Sequence, residues 1–202
     1  MIRDVPPEAP RVSVRRVHDG GAEDVVGHLL AANDQWLVVL PEDRPEVWIP
    51  RHQAEAVRQV PERTVLPVSR EADLERALHR ARSAGPAVRL GGWRLDRRAV
   101  LAVGDPGLPF AEAVAAAEGR LGHPAQLRVL GEAWPEAAAL GFRPVAVRLV
   151  TTTEAPGPHP GETYPLARGW VGDVDAGDPA AVDAARGAGF TLRHHATILA
   201  RG

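Results

Sequence analysis

Chemistry in this 202-residue chain has few side chains to draw on. It contains no cysteine, which removes a thiol nucleophile, thiolate metal sites and disulfides. It also contains no lysine, every basic residue being arginine, so there is no Schiff-base amine and no lysine phosphate clamp. Neither a Gly-x-Ser-x-Gly hydrolase turn nor a Walker lysine occurs. Histidine is the remaining metal ligand to weigh. His194 and His195 are adjacent in a strand-like stretch, which sends their side chains to opposite faces, and His159 in "PHPGE" has no His-x-x-x-His partner or Glu-rich cluster. No metal site is expected. Five tryptophans, Trp36, Trp48, Trp93, Trp134 and Trp170, stand among apolar positions, where core or interface packing is the default; Trp36 and Trp48 alternatively suggest a groove for a proline-rich peptide.

The elements that must position these groups fall into two parts. Residues 1–10 are Pro- and Glu-rich and read as a disordered tail. Residues 11–67 hold short strands at close spacing, "RVSVRRV", the turn "HDGGAED", "VVGHLLAA", "QWLVVL" and "EVWIP", with "AEAVRQVPE" closing the segment, the pattern of a small β-barrel. Residues 68–202 alternate helices and strands. Ser69 predicts a helix N-cap before the stripe Leu74, Ala77, Leu78 and Ala81, and Gly85-Pro86 its stop. "AVRLGGWRLD" and "RAVLAVGD" predict a strand pair. "PGLPFAEAVAAAEGRLG" predicts a helix closed by Gly122, and "AQLRVLG" the next strand. "PEAAAL" is a short helix before Gly141-Phe142 and the strand "RPVAVRLVTTT"; residues 154–165 read as loop, and "GWVGDVDA" as one more strand. Asp178 and Pro179 open a last helix that ends at Gly189, and Phe190 begins the final strand.

Net charge is −2 with both signs interspersed, unlike the one-signed field that nucleic acid or anionic lipid attracts, and no apolar run approaches spanning length. No nucleic-acid or membrane partner is expected. The first ten residues lack the apolar core of a signal peptide, and with the absence of cysteine this fits a cytoplasmic protein.

The tail "DPAAVDAARGAGFTLRHH" and the order β-α-β-α-β followed by α-β resemble the GNAT superfamily of acyl-CoA-dependent N-acetyltransferases. Asp178 falls at the family's Asn, and Gly189-Phe190 at its Gly-Phe. "VVGHLLAANDQWLVV", "VWIP", "AVRQVPE", "GGWRL", "LAVGDPGLPFAEAVAAAE" and "LGFRPVAVRLVTTTEAP" stand in the order of an actinobacterial subgroup in which a small Src-homology-3-type barrel precedes the acetyltransferase domain. The resemblance implies an α+β fold: a small N-terminal β-barrel, then a shortened GNAT-like mixed-sheet domain.

It also implies a site that this sequence only partly supplies. GNAT proteins grip the CoA pyrophosphate on a Gly-rich turn at a helix start, where free amides and the helix dipole favour phosphate. That unit is expected between Thr153 and Asp178, where about two dozen residues remain and a strand with its crossover helix needs roughly 30 or more. Arg168, Gly169 and Gly172 in "ARGWVG" are the replacement cofactor-binding candidates, although the acidic "DVDAGDP" follows them. Many GNAT enzymes protonate the leaving thiolate with a tyrosine; the matching position is Ala185, so Tyr164, the single tyrosine, is the substitute acid, and Glu132 or Glu136 a general base. Taken together, the resemblance and its departures imply a degenerate relative, a pseudoenzyme with weak or no acetyl transfer and no cofactor, working with a protein partner or as a homo-oligomer. The alternative is an active acetyl-CoA-dependent N-acetyltransferase with an unusual cofactor site.

Overall fold

The protein is described here by a computed structural model covering residues 2–6, 9–18, 20–83, 88–97, 99–131, 134–155 and 158–201. It is an α+β structure of two mostly antiparallel sheets. The first strand, β1 (Ile2–Asp4), belongs to the larger sheet, so residues read as a free tail begin as an edge strand.

The next five strands make the smaller sheet. They are β2 (Arg11–His18), β3 (Gly21–Ala32), β4 (Trp36–Leu40), β5 (Val47–Pro50) and, after a 3-10 turn at Arg51–Gln53, β6 (Ala54–Gln59). Their order is β5-β4-β3-β2-β6, antiparallel throughout. The alternation read from "RVSV" is what builds the core: Val12 and Val14 pack with Val25, Leu37, Val39 and Ile49. The "HDGGAED" turn is shorter than its composition suggests. Gly20 takes φ 76°, and Gly21–Asp24 are already paired with Arg15–His18. Asn33 accepts from Gln35 N–H (2.9 Å) and Trp36 N–H (2.7 Å), which shapes the tight β3–β4 turn.

The second part runs α1 (Glu71–Arg82), β7 (Val88–Leu90), β8 (Trp93–Leu95), β9 (Ala99–Leu101), α2 (Phe110–Leu121), β10 (Gln126–Leu130), α3 (Pro135–Ala139) and β11 (Arg143–Thr153). It continues through β12 (Thr163–Pro165), β13 (Trp170–Asp175), α4 (Pro179–Gly187) and β14 (Thr191–Ala200). The sheet order is β1-β7-β8-β9-β10-β14-β11-β13-β12. The single parallel pairing among the described strands is β9 with β10, joined by α2. Helix α1 covers one face, with Leu74 and Leu78 on Val150, Val171 and Ala196. On the other face, α2 packs Ala113, Val114 and Ala117 over Val100, Leu127 and Leu199, while α4 packs Ala185 over Leu149, Val174 and Phe190.

Several helix ends follow the sequence. Gly122 closes α2 at φ 76°, Asp178 accepts from Ala181 N–H at 3.0 Å, and Gly189 turns at φ 82°. Helix α1 differs. Its N-cap is Arg70, because the Ser69 hydroxyl is engaged one turn earlier, accepting from Leu66 N–H at 2.9 Å. The expected stop at Gly85-Pro86 lies outside the described residues, and the helix ends at Arg82. The expected pair over residues 87–105 is three strands, β7 to β9. Within 154–165, read as loop, Thr163–Pro165 pair with β13.

Candidate functional site

The residues singled out from the sequence do not assemble into one site. Tyr164 lies on β12 opposite Val171; its hydroxyl donates to Glu162 at 2.6 Å and its ring sits 5.6 Å from the Arg82 guanidinium. Burial, then the Glu162 contact, raises its pKa, which keeps the phenol protonated. Arg168 is exposed in the turn joining β12 to β13, closed by Leu166 N–H on the Gly169 carbonyl at 2.9 Å. Gly169 takes φ 83°, and a Cβ there would come 2.2 Å from the Thr153 carbonyl. Gly172 is laddered between Thr151 and Thr163. The "ARGWVG" stretch is therefore a hairpin turn and strand. Glu132 lies outside the described residues, and Glu136 is exposed at the start of α3. Ala185 is buried on the inner face of α4. His194 and His195 do face opposite ways, one buried and one exposed. Trp36 and Trp48 meet edge-to-face at 6.3 Å on the small sheet, 38% and 53% exposed.

What the fold does assemble is a charged cluster between α1 and the sheet. Glu75, His79 and Arg82 recur at helical spacing along α1, one step from the apolar stripe. Arg128 of β10, Asp173 of β13 and Arg148 of β11 meet them from below. Arg128 donates to both Glu75 oxygens (2.6 and 3.0 Å) and to Asp173 (2.9 Å). Asp173 also accepts from Arg82 (2.6 and 3.2 Å) and Arg148 (3.1 Å). His194 Nε2 reaches Glu75 at 2.9 Å. Burial alone would raise the Asp173 and Glu75 carboxyls. The Arg82 hydrogen bonds and Arg128 charge on Asp173, and the His194 and Arg128 contacts on Glu75, together outweigh it and hold both well ionised.

Beside this cluster is a cavity of about 160 Å³ between α1 and strands β9, β10 and β14. Leu78, Leu101 and Ile198 give it apolar walls; His79, Arg82, Asp96, Gln126 and Arg128 supply its polar groups. The His79 ring is nine-tenths buried. Its Nε2 has no hydrogen-bond partner among the described residues and lies 3.5 Å from Asp96 Oδ2 without hydrogen-bond geometry. Burial lowers its pKa to about 4, so the ring is neutral at pH 7.

A second feature is the turn from β9 to α2, the strand-turn-helix unit of the parallel pair. It carries Gly104 (φ 95°) and Gly107 (φ 75°). The loop after β4 of the small sheet fills it: Asp43 O accepts from Asp105 N–H at 2.7 Å, and a Cβ on Gly107 would lie 2.3 Å from the Pro45 ring. Glu42 pairs with Arg94, and Arg89 donates to Pro41 O at 2.5 Å, so the small sheet is fastened to the larger one by buried arginines. Gly104→Ala is expected to cost about 1–3 kcal/mol, because its backbone is left-handed and the added Cβ would sit 2.6 Å from Asp43 O. Urea denaturation measures the loss, and faster proteolysis within residues 41–46 would report the loosened loop.

No protein-family model, curated protein or solved structure matches this chain.

Proposed function

We propose that this protein is a GNAT-like chain that does not transfer acetyl groups and acts through binding, as a regulatory or partner-docking module. The observation that carries the reading is the hairpin of β12 and β13. It pairs against Arg148–Thr153 of β11 and occupies the segment in which a GNAT enzyme would place its phosphate-gripping turn and helix. The buried Ala185, in the position of the leaving-group acid, supports the same reading. The order β5-β4-β3-β2-β6 with a 3-10 turn before its last strand suits a Src-homology-3-type barrel, an adaptor of this kind.

One observation favours catalysis instead. The parallel β9–β10 pair with its α2 crossover is the unit on which nucleotides bind in α/β proteins, and Gly104 and Gly107 stand in its turn. An active enzyme would use that turn after the barrel loop had withdrawn. Calorimetric titration with acetyl-CoA separates the two. No heat and no thermal shift at millimolar ligand is the expected result. Binding in the micromolar range, abolished by Gly104→Val, overturns the proposal.

A further inference from the structure

We infer that the arginines beneath α1 form a binding site for a phosphate ion, held by Arg76 from the helix and by Arg89 and Arg94 from the sheet, with Arg80 at its rim. The inference does not depend on whether the chain binds acetyl-CoA.

The register of the larger sheet builds the cluster. Arg89 of β7 stands directly opposite Arg94 of β8. Side chains in that relation leave the same face with Cβ atoms about 5 Å apart, and like charges there repel. The row continues from Arg94 to Leu101 of β9 and on to Arg128 of β10. Arg128 meets Glu75 of α1, so the whole row lies on the face that α1 covers. Arg76 follows Glu75 on that helix, and Arg80, four residues on, extends from the same side. The Arg76 charge acts on both Arg89 and Arg94, and the Arg80 charge on Arg94 and Glu42.

The acids nearby do not match these cations. Arg76, Arg89 and Arg94 are between 2% and 6% exposed, and the Nε–H of each has no hydrogen-bond partner among the described residues. Glu42 accepts from Arg94 and also lies 3.8 Å from His28. The Arg89 contact is to a neutral group, the Pro41 carbonyl. Asp73 is 3.5 Å from Arg76 and is bound more closely by Arg63, at 2.7 Å. Asp43 is exposed, and its pull on Arg89 is weaker than the push of Arg94 and Arg76. Burial and those two like charges outweigh Glu42 and bring the Arg89 guanidinium down to about 10; burial lowers Arg94 as well. A buried charge without its partner is strongly unfavourable.

The chemistry of the donors names the ligand. A guanidinium has five N–H groups and no acceptor, so all the unspent capacity here is donor and cationic. A cation is repelled, and a neutral molecule brings no compensating charge. An oxyanion accepts from several guanidinium forks at once. The forks arrive from one helix and two strands, which suits the tetrahedral oxygens of phosphate better than the flat edge of a carboxylate. Exposure this low admits the bare ion rather than a phosphate ester.

The test is calorimetry and thermal melting of the full chain in sodium phosphate against sodium chloride at matched ionic strength, with glycerol phosphate as the ester. Saturable one-to-one binding of phosphate is expected, raising the melting temperature by about 5 °C once the ion is well above its dissociation constant. Chloride should give no comparable rise, and glycerol phosphate should bind about tenfold more weakly. Arg76→Gln removes a like charge from the cluster. In chloride it should melt as high as the native sequence or higher; in phosphate it should bind about tenfold more weakly. An arginine that served packing alone would instead melt lower on substitution and leave phosphate affinity unchanged. Arg80→Gln, at an exposed position, gives a second reading: weaker phosphate binding at an unchanged melting temperature in chloride. The inference is overturned by no binding at tens of millimolar phosphate, by an equal rise in chloride, by glycerol phosphate binding as tightly as phosphate, or by unchanged phosphate affinity in the two variants. Acetyl-CoA appears in none of these titrations, so the result stands apart from the test of catalysis.

Discussion

Asp173→Ala is expected to destabilise the protein by about 3–5 kcal/mol, the cost of breaking a buried charge network by deleting one partner. Its side chain is 2% exposed and holds three guanidiniums, those of Arg82, Arg128 and Arg148. Without it, Arg128 retains Glu75 alone, while Arg82 and Arg148, partly open to solvent, keep only the more distant Glu162 (3.8 Å) and Asp175 (3.7 Å) carboxylates. At this chain length the loss corresponds to a melting temperature lower by about 10 °C. Asp175→Ala is the control: that carboxylate is half exposed and 3.7 Å from Arg148, and its loss should cost less than about 1 kcal/mol. Urea denaturation of both variants measures the contrast. Equal, small losses would mean that the network contributes nothing net and that solvent already screens it.

The second large effect is a dependence of stability on pH centred on His79. Its ordinary value is 6.5, and burial, only partly offset by the Asp96 charge, brings it to about 4 in the folded protein. The nearby Arg94 and Arg128 charges push the same way as burial, and Glu75 opposes them. A histidine depressed by folding stabilises the native state at pH above 6.5, and that contribution is lost as pH falls from 6.5 towards 4. The magnitude is about 3 kcal/mol. Two other sets of groups act in different directions or ranges. His28 is raised by its Glu42 contact, so its contribution is complete below 6.5 and fades as pH rises. Glu75 and Asp173 are lowered, so theirs is lost only in stronger acid. The expected result is a melting temperature that falls steeply between pH 6.5 and 4 in the native sequence and much less in His79→Gln. Parallel profiles for the two proteins would show that His79 is not buried as described.

Local grammar in the sequence was sufficient where local physics decides the outcome. The Val12 and Val14 alternation, the Gly122 and Gly189 helix stops and the Asp178 cap each depend on residues within a few positions of one another. It failed where a distant partner decides. Ile2–Asp4 and Thr163–Pro165 are three-residue segments with turn-like composition, and each is a strand only because β7 or β13 offers a ladder to it. Ser69 has a capping side chain, but the turn at Leu66 claims it. The charged cluster was illegible for the same reason: Glu75 and His194 are 119 positions apart, and Arg128 and Asp173 are 45. A signal was present within α1, since Glu75, His79 and Arg82 follow the helical period beside Leu74 and Leu78. Charged residues at that spacing ordinarily mark a solvated face, and here a second row of charges on the sheet turns them inward.

The small sheet is spliced into the larger one. Its chain enters from β1 and leaves towards α1 and β7, and β1 and β7 are laddered to each other, Ile2 opposite Leu90 and Asp4 opposite Val88. For a module leashed at both ends in this way, re-forming the Asp43–Asp105 contact is an intramolecular event whose rate ignores protein concentration. Any competitor for that contact must therefore contend with a tethered rival rather than a free one.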